Sequence, residues 1–317
     1  MEEVLNIYKL KFQTAMHISR GKLNSYESSS STLHSDSLKS AIFVSILQLY
    51  GEKTAFEFLE NVCLSSAFPF EGDSYYLPRP ISYKPVENAE NRKSLKKLAF
   101  LTTSQLQSVL NAEHPSISFD SKGRVIQPQV WAKDITQRVK ISTEEESKPF
   151  YMEKLYPLNQ NTGLYFIYKG EFSTEKLDAA MKLLGENGIG LQRNLGNGRF
   201  IPEKDSVKIK LPDSATAWMS LSLYRPDKDD LNETFLAGSS YQFIKRGGWV
   251  SSSSEENMNY RKQAIIMFTE GSTFCFSDKI AKVMIAGKLE DITPDVMVKS
   301  SGYKIFRDGR SIFLPII

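Results

Sequence analysis

Gly188-Ile189-Gly190-Leu191-Gln192-Arg193-Asn194-Leu195-Gly196-Asn197-Gly198-Arg199-Phe200 joins a helical pattern to a strand pattern, and that placement decides the fold. Four glycines and two arginines share these thirteen positions, with no acid. Upstream, Leu164-Tyr165-Phe166-Ile167-Tyr168 reads as an apolar strand, and Ser173-Thr174-Glu175-Lys176 as a helix start. Ser173 is the expected N-cap, although Lys176 stands where a capping box has its acid. Leu177, Ala180, Met181 and Leu184 then recur at helical spacing and make one apolar face. A dinucleotide fingerprint runs the other way, from strand to helix. A Walker loop ends in Gly-Lys-Ser/Thr, whereas Gly198 precedes Arg199 and Phe200. No nucleotide cofactor is expected. The loop suits phosphate all the same. Glycine backbones let a bulky ligand approach their N–H groups, successive N–H groups form an anion nest, and Arg193 and Arg199 add guanidinium forks. The competing reading is a flexible connector.

Working outward, Tyr8, Leu10 and Phe12 alternate with Lys9, Lys11 and Gln13, the period of a half-buried strand. A polar loop ending in Ser28-Ser29-Ser30-Ser31-Thr32 follows. A helix begins near Asp36, its expected N-cap, with Leu38, Ala41, Ile42, Ser45, Ile46 and Leu49 on one face. Ala55, Phe58, Leu59 and Val62 mark a second short helix. Leu77-Pro78-Arg79-Pro80-Ile81 does not suit a central strand, because proline lacks the ladder donor. Arg92, Lys93, Lys96 and Lys97 form a basic run, and residues 115–161 are polar and weakly periodic, as in an insertion with a hairpin. The order strand–helix–strand–insertion–strand–helix–loop–strand predicts a ferredoxin-like βαββαβ unit.

A second unit starts near Leu211-Pro212-Asp213. Met219, Leu221 and Leu223 alternate with Ser220, Ser222 and Tyr224, a short helix is expected over 229–236, and strands over 241–250 and 263–268 flank the loop at 251–254. Ile312-Phe313-Leu314 closes the chain as a strand. The expected fold class is therefore α+β, two tandem ferredoxin-like units. The first covers residues 1–210 with an insertion at about 82–161, and the second covers 211–317.

Composition agrees with a chain of 317 residues, long enough for two domains. With 41% apolar residues it buries an ordinary core. The formal charge of +3, from 40 basic against 37 acidic residues, leaves a nucleic-acid role to local grooves. Met1-Glu2-Glu3-Val4-Leu5 lacks the basic end of a signal peptide. The apolar window at 41–50 is half of the ~20 residues that span a bilayer. Cys63 and Cys275 have no metal-type spacing and read as reduced thiols of a cytoplasmic protein.

A second phosphate candidate is Leu33-His34-Ser35-Asp36-Ser37-Leu38-Lys39, where the helix N-terminus presents unpaired N–H groups. The bland alternative is that Asp36 simply caps the helix. Together with the glycine loop and the two units, this opening resembles the RAMP superfamily of CRISPR proteins. Within it, the order of motifs is similar to the fourth-Csm-subunit family, the Cas-five-like RAMPs of type III-A effector complexes. Phe12 with His17-Ile18 is similar to the family's opening, and Leu77-Pro78-Arg79-Pro80 with the lysine run looks like its proline–basic segment. Tyr303-Lys304-Ile305-Phe306-Arg307-Asp308-Gly309, leading to Phe313-Leu314-Pro315, resembles its closing signature. Two departures stand out: Tyr303-Lys304 where the family has His-Pro, and Leu191-Gln192 where its loop has smaller residues.

The resemblance implies a noncatalytic ribonucleoprotein subunit of antiviral defence that binds the 5′ repeat-derived tag of the crRNA and lies near the target RNA. It implies docking on the large polymerase-domain subunit and on the backbone RAMP subunit of the Csm complex, with a "thumb" hairpin from the insertion and no membrane, metal or cofactor. The expected RNA contacts are His17, Ser19, His34, Ser35, Lys39, Gly188, Gly190, Arg193, Asn194, Gly196, Asn197, Gly198, Arg199, Phe200, Lys245 and Arg246. Trp131 and Phe150 are candidates for the thumb tip or anchors of the insertion, and Trp249 for stacking surface or core. Lys304, Arg307 and Arg310 form a further basic cluster around Asp308. Of the three histidines, His114 reads as surface. The rival reading is a metal-independent crRNA-processing endoribonuclease, with His34 and a lysine such as Lys39 as base and acid. A protein-only scaffold, its glycine loop contacting a partner chain, is the third.

Overall fold

β1 (Glu2–Phe12) lies inside the principal sheet of the computed structural model, which describes residues 2–19, 26–85, 92–140, 148–228, 230–250, 260–276, 284–300 and 304–317. It is followed by α1 (Ser35–Asn61), β2 (Val62–Leu64), β3 (Phe68–Glu71), β4 (Ser74–Pro78), α2 (Arg92–Leu95), β5 (Phe100–Thr102) and α3 (Thr103–Leu110). Then come β6 (Trp131–Lys140), β7 (Lys148–Pro157), β8 (Thr162–Gly170), α4 (Thr174–Asn187) and β9 (Phe200–Lys210). These strands make one antiparallel sheet in the order β5-β4-β3-β8-β1-β9, with β2 also on β8, while β6 and β7 form a separate hairpin bridged at Leu155 to Met16.

The sequence period explains β1 and also understates it. Tyr8, Leu10 and Phe12 face a core shared with Leu38 and Ile42 of α1 and with Leu177 and Met181 of α4. Leu5 and Ile7, on the opposite face, are buried as well, under α3 and the second sheet. The strand is therefore covered on both sides rather than half-buried. Lys9 on that second face is 6% exposed, its Nζ 2.6 Å from Asp205 and over the ring of Tyr75.

The two short helices expected after residue 35 are the two limbs of α1, which bends at Gly51 (φ 80°, ψ 178°). A positive φ is open to glycine at little cost. α4 starts as expected, with Ser173 accepting from the Lys176 N–H. Pro78 sits at the end of β4, where only β5 pairs with it. α3 escaped the sequence reading, although Thr102 and Gln105 form a complete capping box. Both α3 and β5 lie in the stretch read as insertion, yet β5 extends the principal sheet and Leu106, Val109 and Leu110 enter its core.

The rest of the chain contains β10 (Ala217–Ser220), α5 (Glu233–Ala237), β11 (Phe243–Arg246), β12 (Ile265–Phe268), β13 (Thr273–Phe274), β14 (Met284–Ala286), β15 (Leu289–Asp291), α6 (Asp295–Ser300), β16 (Phe306–Asp308) and β17 (Ser311–Ile316). Its sheet runs β13-β10-β17-β14, with β11–β12 and β15–β16 as separate two-stranded ribbons. Met219, Leu221, Ile312 and Leu314 share a core with the principal sheet, while Trp218, Tyr224, Phe235, Phe274 and Phe313 form an aromatic core of their own. The architecture is α+β with antiparallel sheets. No helix among the described residues is long and apolar enough to cross a membrane. The expected loop at 251–254, the triple glutamate at 144–146 and Tyr303 lie outside the described residues.

Candidate nucleic-acid interface

The glycine loop folds back on the segment that continues β1. Gly198 N–H donates to Ala15 O at 2.8 Å, Leu191 N–H to His17 O at 2.8 Å, and Arg199 N–H to Thr14 Oγ1 at 2.9 Å. Ile189 N–H closes the loop on itself through Gly198 O at 3.0 Å. Two glycines are there for close approach. A Cβ on Gly198 (φ 73°) would lie 1.9 Å from Ile189 O, and one on Gly190 (φ 95°) 2.5 Å from His17 O. Many of the N–H groups expected to form an anion nest are thus used to lock the loop in place. The locked frame holds Arg193, Asn194, Leu195 and Arg199 exposed at its rim. Neither arginine has an ion-pair partner among the described residues.

Other expected contacts in the loop turn inward. Phe200 is buried against Phe12, ring centroids 5.6 Å apart. Asn197 is 8% exposed and accepts from Lys154 Nζ at 3.4 Å. Where the sequence suggests RNA contacts, both side chains turn inward and brace the loop.

The root of the β6–β7 hairpin completes this region. Met16 and Leu155 exchange backbone hydrogen bonds at 2.9 Å each way. His17 Nδ1 lies 2.7 Å from Glu153 O, and its Nε2 is buried with no partner among the described residues. Glu153 Oε2 accepts from Ser29 N–H at 2.6 Å, and Tyr26 packs on Phe150 with centroids 5.3 Å apart. His17 is therefore a buried joint between loop, hairpin and the 26–30 segment, while Ser19, bridged to Ser29, is exposed. Trp131 opens the hairpin at its root and packs edge-on against Phe12, so it anchors the hairpin rather than tipping it. Lys154, a cation at the base of the glycine loop, was missed; burial and then Arg138 lower its pKa. Nothing local marks it, because its partner lies 43 residues on.

The N-terminus of α1 is the largest correction. Asp36 is buried inside the first turn, not at the cap, and Arg246 binds both of its oxygens at 2.9 Å. Arg307 donates to the same carboxylate. Burial disfavours this charge, but the two arginines outweigh it and hold the Asp36 pKa at about 2. His34 Nδ1 is 2.7 Å from Glu270 Oε1. Burial opposes the imidazolium, yet the Glu270 carboxylate raises the pKa of His34 overall. Ser35 accepts from Leu223 N–H at 3.0 Å. The positive end of this helix is thus met by the chain's own groups.

Lys39 is 2% exposed and donates to Phe58 O at 3.0 Å and to Val62 O. Burial lowers its pKa to about 8 against the attraction of Asp308, 3.8 Å away. Arg310, paired with Asp308 at 2.8 Å, donates to Leu59 O and Glu60 O at the end of α1. His34, Ser35, Lys39 and Arg246 therefore tie the start of α1 to the C-terminal part of the chain; Ser35 and Lys39 are buried, while His34 and Arg246 keep 17% and 19% of their side chains exposed. Lys245 remains exposed, and so does Trp249, 47% accessible under the Arg261 guanidinium at 4.7 Å. Lys93, Lys96 and Lys97 are exposed beside β5, and His114 is a surface residue.

Residues 213–316 match the family model described as the CRISPR Csm4 C-terminal domain. Over 269 residues the chain is 28% identical to the "CRISPR system Cms protein Csm4" of Mycobacterium tuberculosis, covering 82% of this chain and 87% of that one. It is 29% identical over 291 residues to the Streptococcus thermophilus protein of the same name, covering 84% and 88%. Two solved structures share the fold. One belongs to a Csm3-Csm4 subcomplex of the type III-A CRISPR-Cas interference complex, with TM-score 0.61 and 20% identity over 99% of this chain and all of that one. The other belongs to a Csm1-Csm4 cassette in complex with cA4, with TM-score 0.59 and 20% identity over 99% and 98%.

Proposed function

The chain belongs to the Csm4 family of RAMP proteins, and on that premise we propose that it is the crRNA-binding subunit that bridges Csm1, the large subunit, to Csm3, the backbone RAMP, in a type III-A interference complex. The glycine loop holds the 5′ repeat-derived tag, and the β6–β7 hairpin is the thumb that lies toward the target RNA. The observation that carries the RNA contact is the rim of the loop: Arg193 and Arg199 stand exposed, with no ion-pair partner among the described residues, on a backbone locked by its own hydrogen bonds. Guanidinium groups without carboxylate partners, carried on a fixed backbone, suit phosphate oxygens. The strand order β3-β8-β1-β9 with α1 and α4 on one face supports a ferredoxin-like first unit, with a second, shorter unit after residue 210.

A binding role without catalysis is supported by the groups that nuclease chemistry would need. A base and an acid must reach the scissile phosphate. His34 is tied to Glu270 with 17% of its side chain exposed, and Lys39 is buried among carbonyls, so the two do not stand together at an open surface. The test is a titration of tag RNA against the full chain across a range of salt. Arg193→Ala with Arg199→Ala is expected to weaken binding and to flatten its salt dependence by about 0.7 in slope for each lost phosphate contact. Unchanged RNA affinity together with unchanged assembly with Csm1 and Csm3 overturns the reading.

A further inference from the structure

We propose that the outward face of the β11–β12 ribbon is a second contact surface for single-stranded RNA, one that receives bases by stacking. Strand register sets the face. Phe243 pairs with Phe268 and Lys245 with Ile266, so these four share one side. Phe243 is 65% and Ile266 54% exposed. Just past the ribbon, Trp249 bridges to Arg261, whose guanidinium lies over the indole. The opposite side is buried: Met267 is 1% exposed, and Arg246 is held by Asp36. A mobile hairpin would present its aromatic residues poorly, but this one is pinned to the body of the protein.

The charges choose the ligand. Residues 241–249 and 260–268 contain Lys245, Arg246, Arg261 and Lys262 and no acid. Arg246 is neutralised by Asp36, whereas Lys245 and Arg261 are exposed and have no ion pair among the described residues. Exposed aromatic rings interleaved with free cations are what non-sequence-specific single-strand binders use, the rings taking base faces and the cations taking phosphates. The ribbon is also joined to the region of the glycine loop through packed parts of the chain. Arg246 seats the ribbon on the start of α1, and the residues that lead into α1 pack on the hairpin root and His17. The inference rests on the RNA-binding reading and extends it. A strand held at the loop has a second platform in the C-terminal unit.

The test uses the full chain and a short unstructured RNA carrying photoactivatable thiouridine. Crosslinked peptides are expected to contain Phe243 or Trp249. Phe243→Ser with Trp249→Ser is expected to lower affinity about tenfold and to leave the salt slope near that of the parent, since stacking releases few counterions. Both side chains are solvent-exposed, so folding is preserved, and Trp249→Tyr should restore part of the loss. Parent-like affinity with no ribbon crosslinks overturns the proposal. So does parent-like RNA affinity together with lost capture of Csm1 or Csm3, which would make the ribbon a protein interface. Parallel titration of Arg193→Ala with Arg199→Ala separates the two readings. If only that variant binds normally, the loop assignment fails and the ribbon stands; if only the ribbon variant binds normally, the reverse holds.

Discussion

Arg246 and Asp36, 210 residues apart, form a two-pronged pair at 2.9 Å that joins the β11–β12 ribbon to the first turn of α1. Arg307 approaches the same carboxylate from β16. One buried acid between two arginines therefore holds the β11–β12 and β15–β16 ribbons on the start of α1.

Removing that acid leaves two cations without their partner in a dry site. Asp36→Asn is expected to cost about 3–5 kcal/mol of stability, the range for breaking a buried ion pair from one side. A denaturant titration measures it. The pH dependence has a definite sign. The folded pKa of about 2 lies below the ordinary 3.8, so the stabilisation is complete above 3.8 and is lost as pH falls toward 2. Asp36→Asn should erase that part of the acid transition.

His34 and Glu270 give the opposite limb. The His34 pKa is raised from 6.5, so its contribution is full below 6.5 and disappears as pH rises through the raised value. Thermal melts between mildly acidic and alkaline pH should show this decline in the parent chain. His34→Gln should be less stable at low pH and flat across the same window.

Lys39 behaves differently, because burial depresses its pKa from 10.5 to about 8. The unfolded chain then binds more protons than the folded one between these values, and this residue adds stability as pH rises from 8 toward 10.5. Lys39→Met, which keeps the length and drops the charge, should lose that rise. The comparison is the difference between variant and parent over that range, since buried tyrosines titrate above it.

Gly198 and Gly196 share a left-handed backbone but differ in their neighbours. A Cβ at Gly196 (φ 79°) meets nothing within 4 Å, whereas one at Gly198 strikes the Ile189 carbonyl. Gly196→Ala should cost about 1–2 kcal/mol, the strain of the backbone alone. Gly198→Ala should cost more and should also weaken tag-RNA binding, because the loop then loses its seat on Ala15. Paired melts and RNA titrations separate the two.

Features that depend on near neighbours were readable from the residues. The alternation at 8–12, the periodic face of α4 and the glycine loop between α4 and β9 all appear where expected. The features that were not readable share one physical cause. His34, Ser35 and Arg246 looked free because their partners lie 236, 188 and 210 residues away. A histidine and serines before a helix read as a phosphate site until Glu270 and Leu223 are known to be there. Lys39 was misread in the same way: it lies on a helix, and only the bend at Gly51 returns the carbonyls of 58 and 62 to it. α3 is the exception, since its capping box was local and was overlooked.

The double grip on Asp36 also bears on how the chain is made. Synthesis runs from the N-terminus, and Arg307 is added 271 residues after Asp36. While the ribosome is still translating, α1 carries Asp36 and Lys39 without Arg307 or Asp308 to satisfy them, and Leu5 and Ile7 lack the β17 residues of their core. Neither the grip on Asp36 nor the shared core beneath the principal sheet can be completed before β16 and β17 have been made.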